Sequence, residues 1–127
     1  MFENLKVLQT SFAMARHAGT QQAVTAANLA NADTPNYRAQ STISFAETFD
    51  ATSSGTLRTT RAGHIGAEIL SPATLTQPTG DEASPNGNTV SLEQEMINSV
   101  ENQREHNRAL AIYKHSLDVL RMSIGRR

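Results

Sequence analysis

The sequence predicts a mainly α-helical chain in which two long terminal helices flank an irregular middle. Three observations support this class. Positions Leu5, Leu8, Phe12, Ala15, Gly19, Gln22, Ala26 and Leu29 fall at alternating spacings of three and four, a helical stripe of the heptad kind. A second periodic segment runs from about Ser91 to Ile124. Residues 38–90 between them carry no sustained helical period. All 127 residues read as one domain: a helix over 1–34, a turn, irregular middle and loop over 35–88, and a helix over 89–127.

The first helix is bulky at its start and small at its end, where Ala23, Ala26, Ala27 and Ala30 predominate and another helix can come close. It must stop near Asp33. Pro35 pushes Thr34 out of the α region and has no N–H to donate. Just before the stop stand Asn28 and Asn31, each several tenths of a kcal/mol worse than alanine in a helix interior. Two such residues followed by Asp-Thr-Pro-Asn-Tyr specify a corner. Pro35 suits the second position of a tight turn, Asn36 tolerates the positive φ that a type II turn needs next, and Tyr37 can fold back onto the helix end. The carboxamides are then placed to bond a neighbouring backbone.

The second helix opens on Ser91-Leu92-Glu93-Gln94, a capping box with Ser91 as N-cap and Gln94 at the third helical position. Glu93 and Glu95 near its start, and Lys114, Arg121, Arg126 and Arg127 toward its end, suit the helix dipole. Met96, Ile97 and Val100 form an early apolar patch, and Leu110, Tyr113, Leu117, Leu120 and Ile124 a late stripe. Between them lies "ENQREHNR", residues 101–108, eight polar residues in a row that a helix buried in its own monomer core would rarely carry. In the middle, "STISFAETF" and "GTLRTTRAGHIGAEI" contain strand-like pieces, and residues 71–88, rich in Pro, Gly, Ser and Thr, read as a loop or mobile linker. Helices of roughly 45 and 50 Å overrun a globule of this length, whose diameter would be about 36 Å. Either one helix breaks or other copies cover the stripes.

Composition removes several function classes. Apolar residues make up 38%, with six aromatics and no tryptophan, so any core is thin. The net charge of −1 gives no strong field for nucleic acid or an anionic membrane. Without cysteine there is no disulfide framework, thiol nucleophile or cysteine-ligated metal. No apolar run approaches a membrane span, and the N-terminal stretch lacks the order of a cleaved signal peptide. His17, His64, His106 and His115 form no i, i+4 pair, and neither a glycine-rich phosphate cradle nor G-x-S-x-G occurs. Glu101 and Glu105 share a helix face but read as solvated charges flanked by Arg104 and Arg108. Arg58, Arg61 and His64 make a small patch that could touch an anion. No catalytic residue, cofactor or metal is expected, and the chain reads as a non-enzyme.

At the corner, "NLANADTPNYRA" resembles the N-terminal signature of bacterial flagellar rod and hook proteins, roughly N-x-x-N-x-x-T-P-G-Y-[KR], with Asn28, Asn31, Thr34, Pro35, Tyr37 and Arg38 on the motif. In a chain this short the resemblance is nearest to the proximal-rod branch of the basal-body rod family. "FAETF" at 45–49, "TTRAGHI" at 59–65 and "NTVSLEQEM" at 88–96 extend it. Asn36 departs from the family's glycine, Gln40-Ser41-Thr42 from its basic-then-acidic continuation, and His106-Asn107 from a frequent aromatic. The resemblance implies two terminal helices packed antiparallel as a coiled-coil-like domain, with short β and loop segments between them. It implies a structural subunit of the periplasmic rod, the drive shaft carrying torque from the MS ring to the distal rod and hook. Implied partners are copies of itself, other rod subunits, MS-ring and rod-adaptor proteins and the flagellar type III export apparatus, with export lacking a cleaved signal, no nucleic acid and no membrane insertion. The assembly corner would be Asn28, Asn31, Thr34, Pro35, Asn36, Tyr37 and Arg38. The helix-packing stripe would be Leu5, Leu8, Phe12, Leu29, Met96, Val100, Leu110, Tyr113, Leu117, Leu120 and Ile124. Alternatives are another rod subunit, a soluble helical adaptor or chaperone, and, remotely, an anion-binding enzyme built on Arg58, Arg61 and His64.

Overall fold

A computed structural model describes residues 2–53 and 76–125. In chain order the elements are α1 (Phe2–Ala30), β1 (Gln40–Thr42), α2 (Phe45–Ser53), β2 (Thr76–Pro78) and α3 (Leu92–Ile124). Helices α1 and α3 pack side by side along most of their length. Their cross-links pair Asn28 with Glu95, Thr25 with Asn102, Gln22 with Ser99 and Ala15 with His106, so the helices run antiparallel. Strands β1 and β2 form a two-stranded antiparallel sheet, with Gln40 opposite Pro78 and Thr42 opposite Thr76. Pro78 stands at the end of this short ladder, where its missing N–H disturbs least. Arg58, Arg61, His64, the 59–65 element, residues 71–75 and the Leu5 side chain lie outside the described residues.

The seam between α1 and α3 is small and polar. Ser11, Ala18 and Thr25 are buried on α1 at intervals of seven, joined by Asn28 and by half-buried Met14 and Gln21. On α3 the buried residues Glu95, Asn102, Ala109 and Ser116 also repeat every seven. Half-buried Ser99, His106, Tyr113 and Leu120 interleave with them at the same interval. Seven is the repeat that keeps a seam facing its partner in a left-handed coiled coil. Buried hydroxyls are satisfied within their own helices: Ser11 donates to Leu8 O at 2.9 Å and Ser116 to Ile112 O at 2.9 Å. Across the seam, Asn102 donates to Thr25 Oγ1 at 3.0 Å and the His106 Nδ1–H points at Ala15 O, 3.3 Å away.

The buried centre of the seam is therefore offset from the expected apolar stripe of α1, which meets α3 only at its edge, through Ala15 and Gln22. The observed seam, 11-14-18-21-25-28, lies one residue earlier than 12-15-19-22-26-29, a rotation of about 100° on a helix. Both sets satisfy the three-four spacing. The buried amides choose between them, because Asn28 and Asn102 need partners once out of water, whereas Phe12 (57% exposed) and Leu29 (42%) are left facing outward. On α3, Met96 (60%), Val100 (52%), Leu110 (45%) and Ile124 (74%) also face outward. Tyr113, Leu117 and Leu120 are half-buried, as is Leu8 on α1. The polar stretch 101–108 supplies two seam residues, Asn102 and His106, so the polar turns take part in the helix pair itself.

Of residues 41–49, expected to contain strand-like pieces, Ser41 and Thr42 do lie in β1, whereas residues 45–53 form α2. The start of α2 carries a complete capping box: Glu47 N donates to Ser44 Oγ at 3.3 Å and Ser44 N donates to Glu47 Oε2 at 3.1 Å. The Ser44 hydroxyl adds a 2.8 Å bond to the same carboxylate, and these bonds hold the Glu47 carboxyl below its usual range. The box at Ser91 is half made. Gln94 N donates to Ser91 Oγ at 3.4 Å, but the Gln94 side chain turns forward to Asn98 Oδ1 at 3.1 Å. Buried His17 ties α1 to the β1–α2 connection, its Nε2–H reaching Ile43 O at 2.9 Å while its ring meets Phe45 edge-on, centroids 5.7 Å apart.

Candidate functional site

The densest set of side-chain hydrogen bonds lies where α1 ends. Helix propensity disfavours Asn28, yet it is 1% exposed and uses every polar position it has. Its Nδ2 donates to Gln40 O at 2.7 Å and to Glu95 Oε1 at 3.0 Å, and its Oδ1 accepts from Gln40 N at 3.0 Å and from the Tyr37 hydroxyl at 3.4 Å. One carboxamide thus imitates a strand neighbour for Gln40, anchors β1 to α1, and reaches the first turn of α3. Asn31 does a more local job. Its Nδ2 donates to Ala27 O at 2.8 Å and its Oδ1 accepts from Thr34 Oγ1 at 3.2 Å, closing the last turn of the helix.

The turn follows from the next four residues. Tyr37 N donates to Thr34 O at 3.3 Å, Pro35 fills the second position, and Asn36 sits at φ 60°. That geometry is a type II turn with asparagine where glycine is usual. Beyond it the chain pairs with the segment leading into α3: Asn36 N donates to Asn86 O at 3.0 Å, Thr89 N to Tyr37 O at 3.1 Å, and Ala39 N to Thr89 Oγ1 at 2.8 Å. Gly87 faces Asn36 at φ 80°, and a Cβ there would overlap the Asn36 carboxamide. Thr34, Pro35, Asn36 and Arg38 are exposed, and Tyr37 is half-buried.

Asn88, absent from the expected corner residues, completes it. It is 2% exposed, and its Nδ2 lies within bonding distance of Asn31 O (2.9 Å), Ala32 O (2.7 Å) and Thr34 O (2.9 Å). They lie just past the last residue of α1, where Asn31 O and Thr34 O also accept from Thr34 N and Tyr37 N. Its Oδ1 accepts from Val90 N at 2.8 Å, an Asx turn that aims the chain into α3. An asparagine three residues before a capping serine was the available signal; the carbonyls it covers lie more than fifty residues away in sequence and could not be inferred from it.

Nothing at the corner provides a nucleophile beside a base. Among the described residues no cluster of His, Asp and Glu could hold a metal ion, and no helix is long and apolar enough to cross a membrane. The arrangement is architectural: asparagines fix the angle between two helices whose apolar faces point outward. Residues 14–38, spanning the corner, match the family described as "Flagella basal body rod protein". The chain is 38% identical over 101 residues to the flagellar basal body rod protein FlgB of Escherichia coli (strain K12), covering 72% of each chain. It is 34% identical over 108 residues to the protein of the same name from Cereibacter sphaeroides, covering 83% of each. Against the one from Agrobacterium fabrum it is 29% identical over 128 residues, covering 96% of this chain and 95% of the relative.

Proposed function

This chain belongs to the flagellar basal-body rod protein family and is a structural subunit of the proximal rod, not an enzyme; from that premise we propose that it polymerises through the outward faces of α1 and α3. The observation that supports this reading is the inverted helix pair. Small and hydrogen-bonded polar groups are buried in the seam, while Phe12, Leu29, Met96, Ile97 and Val100 stand in the open. Exposed apolar faces of this extent mark surfaces that meet other proteins. In a rod, neighbouring subunits cover them and supply the hydrophobic burial that the single chain lacks.

The corner of Asn28, Asn31, Thr34, Pro35, Asn36, Tyr37 and Arg38 then sets the angle at which the chain leaves the helical layer. The stripe of Leu5, Leu8, Phe12, Leu29, Met96, Val100, Leu110, Tyr113, Leu117, Leu120 and Ile124 is assigned to contacts with neighbouring subunits, with Leu8, Tyr113, Leu117 and Leu120 already half-buried in the single chain. The rod crosses the periplasm and carries torque from the MS ring toward the distal rod and hook. MS-ring and rod-adaptor proteins are the proposed neighbours below, and the flagellar type III apparatus the proposed export route, without a cleaved signal. Mass spectrometry of detergent-washed basal bodies tests the reading. The chain is expected at a few copies per basal body, resistant to extraction. A chain that is absent from intact basal bodies and free in the cell overturns it.

A further inference from the structure

Between α1, β1 and α3, just below the corner, lies a cleft of about 220 Å³ whose lining includes Gln21, Glu95, Asn98, Glu101 and Glu105 and no basic residue. Two buried oxygens at this cleft have no hydrogen-bond partner: Glu95 Oε2 and Gln21 Oε1. Glu95 is 6% exposed, and its other oxygen is already held by Asn28. A buried carboxylate oxygen without a donor is costly, and the cost is relieved by a cation that brings its own N–H groups. Glu101 and Glu105, exposed at the rim, form no ion pair among the described residues. They lie beyond the first turn of α3, out of reach of the helix dipole that would otherwise account for acids near an N-terminus.

The opposite end of the molecule has the complementary chemistry. Because the helices are antiparallel, the start of α1 and the end of α3 lie together, and among the described residues 6–16 and 108–125 carry five Lys and Arg against one acid. The other described stretches, 17–50 and 76–107, carry two Lys and Arg against nine acids. The described residues thus divide into a basic end and an acidic remainder. We infer that the cleft is a socket for a basic side chain from the Arg121 end of a second copy of this chain, joining subunits head to tail. Arginine suits it, since a planar fork of N–H donors can meet a carboxylate and a carboxamide oxygen together. A head-to-tail contact is heterologous and propagates into a ring or helix instead of closing as a dimer. The inference rests on the rod-subunit reading and adds the polarity and the charged contact of the assembly.

Sedimentation velocity on the full chain at low and high salt tests it, with two charge-reversed variants: Glu101→Lys with Glu105→Lys, and Lys114→Glu with Arg121→Glu. All four positions are exposed, so the fold is retained and circular dichroism checks it. The wild-type chain is expected to self-associate at low salt and lose at least tenfold in affinity at high salt. Each variant alone is expected to stay monomeric, and an equimolar mixture of the two to associate again. A wild-type chain that stays monomeric at low salt, variants that self-associate like wild type, or a mixture that stays monomeric each overturns the inference. Variants that self-associate normally but fail to enter basal bodies assign the cleft to a different rod component, which overturns the second copy as occupant. Variants incorporated at wild-type amounts overturn the socket and leave the rod reading standing, whereas a wild-type chain missing from basal bodies removes the rod reading itself.

Discussion

Asn28 and Glu95 are 67 residues apart in sequence, and a 3.0 Å hydrogen bond between Asn28 Nδ2 and Glu95 Oε1 joins the end of α1 to the first turn of α3. Both side chains are buried, Asn28 at 1% and Glu95 at 6% exposure. The same asparagine holds both backbone groups of Gln40, so three segments meet on one carboxamide. A buried carboxylate supported this way depends on the partner that solvates it.

Asn28→Ala is therefore expected to be far more damaging than its gain in helix propensity suggests. It removes four hydrogen bonds and leaves Glu95 buried without its donor, a combination that should cost about 3 kcal/mol. Asn31→Ala loses two bonds local to the helix end and should cost about 1 kcal/mol. Urea unfolding followed by circular dichroism measures the difference. Equal losses for the two variants would remove Asn28 from its central place. Motility of the double variant should be lost even where the monomer still folds.

The left-handed pair of Asn36 and Gly87 gives a second prediction with two signs. Asn36 at φ 60° occupies a region that glycine reaches without penalty, so Asn36→Gly should change stability by less than about 0.5 kcal/mol. Gly87→Ala should destabilise by about 2 kcal/mol or more, because φ 80° strains any side chain and the new Cβ meets the Asn36 carboxamide. Combining both changes removes that carboxamide and should recover part of the loss. Thermal melts of the three variants resolve this.

How far the sequence could be read divides along physical lines. The two long helices followed from periodicity. The type II turn followed from Pro35-Asn36, whose chemistry is local. The rotation of the helices did not follow. A three-four spacing is shared by adjacent stripes, and bulk favoured Phe12 and Leu29 while the seam went to Ser11, Ala18, Thr25 and Asn28. Apolar patterning here picked out side chains that stay exposed in the single chain, and pairing of polar groups picks out what is buried in it. Helix α2 was missed because Phe45, Phe49 and neighbouring threonines suit a strand, while Ser44 and Glu47 form the capping box that decides otherwise. Asn88 was missed because a carboxamide that caps distant carbonyls has no local signature.

A pH dependence is expected at α2. The Glu47 carboxyl is held below the usual carboxylate range, chiefly by the hydrogen bond from the Ser44 side chain and next by that from the Ser44 backbone, against a smaller opposing effect of desolvation. A depressed carboxyl stabilises the folded form above its unfolded pKa. That contribution is lost as pH falls through the folded value. The start of α2 should thus fray under acid conditions, and Glu47→Gln should fray it at neutral pH and abolish this part of the acid response. Amide exchange at Ser44 to Thr48, read by NMR across the acid range, reports it. An unchanged profile in the variant would assign the fraying to another group.

The division of labour between seam and outer face makes the last prediction. Phe12→Ser and Met96→Ser alter side chains that are 57% and 60% exposed in the single chain, so monomer stability should move by no more than about 0.5 kcal/mol. In an assembled rod the same side chains would be covered, and incorporation into basal bodies should fall sharply. Ala109→Leu tests the converse. Ala109 is 0% exposed at the close approach of α1 and α3, and an added isobutyl group must force the helices apart at a cost of about 1–3 kcal/mol. Its effect should appear in the isolated chain, before any partner is present. If Phe12→Ser unfolded the monomer while Ala109→Leu left it intact, the seam would have to pass through the apolar stripe and the helices would need rotating by one residue.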